Sequence, residues 1–415
     1  MKIFKFLTVA LVAMLGFTAC DKETEHIYDD HSADLVGTWS CFTENYAEVI
    51  IISADGTAVS FGVEDGEYWE NIKGTVSVKE NNITMIFEDD DNFTGHFDII
   101  PGQAFSLFED SGERYVYNYC ANDLADEIVG MWVCNDGPQN VENEIIIRTY
   151  DNNGKVSTTG LYTEDVNDKP TLDSEANYKV VGDLVFMEFP KDMADKTGIT
   201  HNAERLIFTP KATASGDIMT FLFYLPVGDS YVESHSSYLH IKQHLELANN
   251  SYDYNNVYVT NVNAKDAEFE FAGQTLNLAN MDGRILDKMM KTLLFNVSFP
   301  SADKIVYNYH YNGENVPMPS PIVVDGNKMT IKKSVNNPAC KDIDVWTFQD
   351  QDNTQMHMYM PVKSFENFLA NTAVEMMANE GKLDLTDAAA VKAKFDQVEA
   401  AIETINVSFI FKAAK

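Results

Sequence analysis

Two short stretches of this chain echo one another, and the echo limits the fold more than any other feature. Leu35-Val36-Gly37-Thr38-Trp39-Ser40-Cys41 returns 93 residues later as Ile128-Val129-Gly130-Met131-Trp132-Val133-Cys134. Both read apolar, Val, Gly, any residue, Trp, any residue, Cys. A repeat of this kind marks two starts of the same structural unit rather than one continuous core.

The sequence between the echoes alternates apolar and polar residues, the period of a half-buried strand. Strands are expected near 36–42, 47–53, 57–63, 69–78, 83–88, 93–100, 104–109 and 114–120. Turn residues such as Ala54-Asp55-Gly56 and Glu80-Asn81-Asn82 separate them. Roughly eight short antiparallel strands suffice to close a small barrel, in which the first and last strands become neighbours. The second unit, 126–249, repeats the pattern, with Asp151-Asn152-Asn153-Gly154 as a hairpin turn and a stretch around Leu239–Leu247 that reads as helical. The third, 250–415, adds helices at 282–294 (with Ile285, Met289 and Leu293 on one face), 363–379 and 387–403, the last capped by Thr386-Asp387. The expected fold class is mainly β: small antiparallel barrels in tandem, with a few helices in the C-terminal unit.

Location is written at the start of the chain. Lys2 and Lys5 precede an uncharged apolar run, Phe6 to Phe17, and Asp21 follows at once. That run is short for a membrane-spanning helix and has the shape of a signal peptide, here 1–19. The acidic, polar stretch 20–34 reads as a tether leading to the first unit, 35–122. The formal net charge of −34 argues against nucleic acid, whose phosphates the surface would repel. With Cys20 set aside, Cys41, Cys120, Cys134 and Cys340 allow three disulfide pairings. Cys41 with Cys120 is favoured, provided the strand ends bend towards each other.

Candidate chemistry is sparse. His240 and His244 stand at helical spacing, but Ile241 occupies the position where zinc proteases need a glutamate base. A plain metal site with His235 stands against ordinary surface histidines. Met356, Met358 and Met360 alternate on one strand face, as a core stripe or a soft-metal site. Glu88-Asp89-Asp90-Asp91-Asn92 reads as a solvated hairpin tip rather than a calcium loop. Tyr115, Tyr117 and Tyr119 alternate on one strand, and Tyr307, Tyr309 and Tyr311 on another. The second row is the candidate ligand-binding face if it is exposed, and a core face if it is not. No phosphate loop, nucleophile elbow or reactive-cysteine motif is found, so no enzyme, cofactor or metal is expected.

Phe17-Thr18-Ala19-Cys20 resembles a bacterial lipobox, which implies cleavage before Cys20 and lipid on its thiol. Asp21-Lys22-Glu23-Thr24-Glu25 is similar to the surface-export signal of Bacteroidetes lipoproteins, which implies the outer membrane and the cell surface. Gly37-Thr38-Trp39 and its echo at Gly130 and Trp132 resemble the Gly-x-Trp signature of lipocalins and their calycin relatives. In that family the Trp plugs one barrel end beneath an Arg from the last strand, which implies this role for Arg114. The whole resembles the lipocalin-like lipoproteins of Bacteroidetes. It implies a non-catalytic binding module for a glycan or a small hydrophobic ligand; the alternative is a structural or adaptor lipoprotein that binds another envelope protein.

Overall fold

The computed structural model describes residues 31–414 except 81, 89–91, 109–111, 135–144, 162–170, 211–215, 228–229, 266–267, 272–273, 278, 280–282, 312 and 334–336. The signal peptide, Cys20, most of the tether and the centre of the 88–92 acidic cluster lie outside the described residues.

Three closed antiparallel barrels of eight strands follow one another along the chain. The first runs from β1 (Gly37–Phe42) to β8 (Arg114–Tyr119), and pairing of Trp39 with Tyr119 closes it. The second runs from β9 (Gly130–Cys134) to β16 (Ser230–Ile241), closed by Trp132 opposite His240. The third comprises β17 (Asn250–Ala264) and seven strands from β20 (Leu294–Ser301) to β26 (Ile402–Ala413), with β17 closing on β26. Between β17 and β20 sit a small hairpin, β18 (Glu268–Phe271) with β19 (Gln274–Asn277), and helix α2 (Gly283–Leu293). A short helix α1 (Lys191–Thr197) interrupts the second barrel.

The expected C-terminal helices are present as α3 (Val362–Asn379) and α4 (Ala388–Ala401). Asp387 caps α4, accepting from the backbone N–H groups of Ala389 and Ala390, each at 3.0 Å. In α2 the buried face is Leu286, Met290 and Leu293, with Met289 packed at its side; of the expected stripe only Ile285 falls away, at 49% exposed. The stretch 239–247 is not helical: β16 runs through Ile241, where Leu239 and Ile241 face the third barrel and His240 faces Trp132.

The barrels are welded through strands buried on both faces. β2 (Tyr46–Ile52) and β3 (Thr57–Glu64) turn Ala47, Val49, Phe61 and Val63 outward. These pack on Leu184 and Phe186 of β13 (Leu184–Glu188), with Val181 and Ala203. In the second weld, Val133, Leu239 and Ile241 meet Trp346, Phe348 and Tyr359 from β24 (Ile343–Gln349) and β25 (Gln355–Met360). Such strands read as apolar runs, not alternation, because neither face meets water.

No disulfide joins the described cysteines: Cys41, Cys120, Cys134 and Cys340 are all buried outside any disulfide. Register explains why the favoured pair fails. Cys120 donates its N–H to Thr38 O, three residues before Cys41 along the same strand. That separation is about 10 Å, beyond the roughly 7 Å that two Cα atoms can bridge. Burial raises the Cys41 and Cys120 thiols to about 12, with Glu48 adding to the first and Asp183 to the second. We expect both to resist iodoacetamide at pH 8 in the native chain and to react once urea unfolds it, read by mass spectrometry.

Candidate functional site

The two Gly-x-Trp echoes build matching plugs with different covers. Trp39 and Trp132 are fully buried, and each donates its indole N–H to a carbonyl four residues earlier, Leu35 O and Ile128 O, both at 2.7 Å. A ring from the last strand covers each indole. Tyr119 stands edge-on to Trp39 at 5.1 Å, and His240 stacks on Trp132 at 4.4 Å and 13°. Arg114 does not take this role: it lies over Phe108 at 5.4 Å and donates to Ser106 Oγ at 2.8 Å. Trp39 pairs with Tyr119, five residues further along β8, about 17 Å from Arg114's position.

Gly37 and Gly130 have φ of +145° and +137°, and a Cβ on either would meet the covering ring. Gly130→Ala should therefore cost about 3 kcal/mol in urea unfolding, from backbone strain and overpacking together. Gly326→Ala is the control for strain alone. Its φ is +60° with open space around it, and we expect a loss of about 1 kcal/mol.

The tyrosine row of the third barrel is a core face. Tyr307 is 5% and Tyr309 2% exposed. Helix α3 lays Phe365 and Phe368 into the core they share, with the Phe368 ring 5.9 Å from Tyr307. The space beside them is about 30 Å³, room for one water molecule. Tyr311 lies on the same strand, β21 (Lys304–Tyr311); its side chain is outside the described residues. In the first barrel Tyr117 is buried, whereas Tyr119 is 39% exposed over its plug. Met356, Met358 and Met360 are core residues of the third barrel.

Buried polar groups occupy the first two barrels. Glu48 accepts from Ser60 Oγ at 2.6 Å, from Tyr46 OH at 2.5 Å and from Tyr117 OH. Arg148, on β10 (Ile145–Tyr150), meets Glu204 through Nη1 at 2.6 Å and lies over the rings of Phe221 and Tyr238, at 4.6 and 5.1 Å. Sequence reasoning missed both groups, because a lone charge in an alternating strand reads as solvent-facing until the register is known.

Open space lies between the barrels. At the junction of the first two, a stacked Tyr68–His201 pair at 5.0 Å separates two clefts, of about 380 and 420 Å³. Ala47, Val63 and Ala203 line the smaller one, which exists because these side chains are short. Phe42 and Tyr224 meet across it at 5.3 Å, and Tyr231 is 45% exposed. Tyr224 belongs to β15 (Ile218–Val227), whose hairpin with β16 parts from its neighbour β14 (His201–Thr209), which stays with β13 as far as His201. β14–β15 pairing stops at Arg205 opposite Leu222, but β15–β16 pairing continues to Val227 opposite Ser230. The part that has left β14 leaves Leu225, Val227 and Val232 exposed on one face.

The clefts differ in how their polar groups are used. In the larger one Tyr68 donates to Glu70, Asn177 to Glu188, and Lys179 pairs with Glu70 at 3.4 Å. A third cleft, of about 480 Å³ between α3 and α4, has Lys363 paired with Glu366 and Glu399, and Lys392 with Asp396. In the smaller junction cleft, Glu44, Asn45, Asp65 and Asn202 make no side-chain hydrogen bond among the described residues.

No family model matches the chain, and no curated protein does. Two solved structures are similar in outline. One is a double mutant of the vaccine antigen transferrin binding protein B from Haemophilus parasuis Hp5, 10% identical over 89% of this chain, with a TM-score of 0.24. The other is the isotype 1 transferrin binding protein B from serogroup B Neisseria meningitidis, 8% identical over 89% of this chain, with a TM-score of 0.21. The chain spans 66% of the length of each. Both overlaps are too loose to carry an argument.

Proposed function

We propose that this chain is a non-catalytic binding module of the cell envelope, anchored by lipid on Cys20, which holds its ligand at the junction of the first two barrels. The observation that carries the reading is the smaller junction cleft, with its rings and its unengaged amides and carboxylates. About 380 Å³ falls within the range of small-molecule sites, roughly 300–1,000 Å³. A small hydrophobic ligand inside a barrel is disfavoured, because buried side chains such as Trp39, Phe105, Trp132 and Phe221 occupy the first two interiors. A glycan suits the cleft better.

Orientation supports this reading. The tether reaches the first barrel at its plugged end, beside Leu35, and β1 runs from there to Phe42 at the cleft. A lipid on Cys20 would leave the cleft on the side away from the membrane. No helix among the described residues is long and apolar enough to cross a membrane.

A second reading, an adaptor for another envelope protein, is favoured by the uncovered Leu225, Val227 and Val232 face. Native mass spectrometry of the chain, extracted gently from its own cells, tests both. A small-molecule adduct that Tyr224→Ala abolishes supports the first. A protein partner that Val227→Asp releases supports the second. A chain with nothing bound overturns the binding-module reading.

A further inference from the structure

We infer that the smaller junction cleft recognises an uncharged oligosaccharide, stacked on Tyr224 and Tyr231 and hydrogen-bonded by Glu44, Asn45, Asp65 and Asn202. The inference rests on the binding-module reading and adds the chemistry of the ligand.

The walls select for flat, weakly polar faces. Tyr224 is half-buried and Tyr231 is exposed, and they come from adjacent strands of one hairpin: Tyr231 pairs with Pro226, two residues along the same face from Tyr224. Phe42 faces Tyr224 from the other barrel. The negative face of an aromatic ring attracts the weakly positive C–H face of a pyranose and excludes water from it.

The rim selects for hydroxyl groups. Asn45 and Asn202 each offer two N–H donors and a carbonyl acceptor, and Glu44 and Asp65 offer acceptors only. A sugar hydroxyl both donates and accepts, so it satisfies either kind, and its hydrogen bonds to carboxylates are charge-assisted. None of these four side chains makes a hydrogen bond within the described protein, so no internal hydrogen bond has to break first.

The same rim selects against acidic ligands. The charged groups that line the cleft are Glu44 and Asp65, and no Lys or Arg lines it. A uronate, sialate or sulfate would sit beside two carboxylates, and Arg205, whose charge reaches Tyr224, is already paired with Asp183 at 2.9 Å. The walls are also fixed in advance: Ala47, Val63 and Ala203 belong at once to the cleft and to the dry interface that welds the two barrels. A ligand therefore pays little to order its site.

The test uses the full mature chain on a printed array holding neutral, sialylated, uronic-acid and sulfated oligosaccharides. The expected result is binding confined to neutral glycans. Tyr231→Ala and Asn202→Ala should each lower it at least tenfold, with thermal melting unchanged because both side chains are exposed. Glu44→Lys should retain folding and admit acidic glycans. Binding to acidic glycans by the parent chain, binding that Tyr231→Ala and Asn202→Ala leave intact, or an array without signal would each overturn the inference. If the array is blank while native mass spectrometry finds another species bound, the binding-module reading survives and only the ligand class falls.

Discussion

Arg148→Ala should cost about 3–5 kcal/mol in the urea unfolding of the second barrel, among the largest effects of any single substitution in the chain. The guanidinium lies inside the barrel over Phe221 and Tyr238, its side chain 17% exposed, and its counter-ion Glu204 is 6% exposed on the side chain. Burial works against the charge, but Glu204 more than offsets it, so the Arg148 pKa stands well above its ordinary value. Removing the guanidinium leaves a carboxylate in the barrel with no cation and an empty space beside the rings. Replacing both members, Arg148→Met with Glu204→Leu, should recover most of the loss, since a packed apolar pair is often as stable as a buried ion pair. The unfolding transition of the second barrel is the readout, followed by amide hydrogen exchange of its own strands. A loss below about 1 kcal/mol would mean that water reaches the pair.

The second large effect is a dependence on pH. His357 is buried on β25, on the strand face that carries Tyr359 into the weld with the second barrel. Burial lowers its pKa to about 3. The unfolded chain therefore binds a proton there that the native chain refuses, between about pH 6.5 and 3, and stability falls as pH falls through that window. The full contribution is on the order of 5 kcal/mol. Glu375 on α3 acts in the opposite sense. Burial raises its pKa to about 7, so the native chain holds a proton that the unfolded chain releases, and stability falls as pH rises from about 4.5 to 7. The two slopes oppose each other between pH 4.5 and 6.5. His357→Leu should expose the Glu375 slope, with lower stability at pH 7 than at pH 5. Glu375→Gln should expose the His357 slope, with lower stability at pH 5 than at pH 7. Denaturant midpoints across pH 4–8 measure both, and parallel curves for the two variants would refute the assignment.

The barrels were legible in the sequence because alternation and turn residues are local properties. Gly37 with Trp39, and Gly130 with Trp132, sit where the repeat placed them, at the start of a barrel. What covers each Trp was not legible, since Tyr119 and His240 are brought there by closure of the sheet, far along the chain. The junction cleft was less legible still. Its walls come from loops and strand ends of two barrels, and Glu44, Asn45 and Asn202 look like any polar turn residues until the weld places them together. One signal went unread. Leu184-Val185-Phe186-Met187 and Val49-Ile50-Ile51-Ile52 break the alternation of a one-sided barrel strand, and a run of that kind marks a strand with no wet face.

Those two-sided strands also govern how the molecule can be made. A barrel that folds as the chain emerges presents Val49 and Phe61 bare until the second barrel arrives to cover them, and the second waits in turn for Trp346 and Phe348. Each barrel completes a stage of assembly without being a finished product, so the three make one body. The acidic surface then serves a second purpose: like charges on neighbouring nascent chains keep the uncovered faces apart while each waits for its own partner.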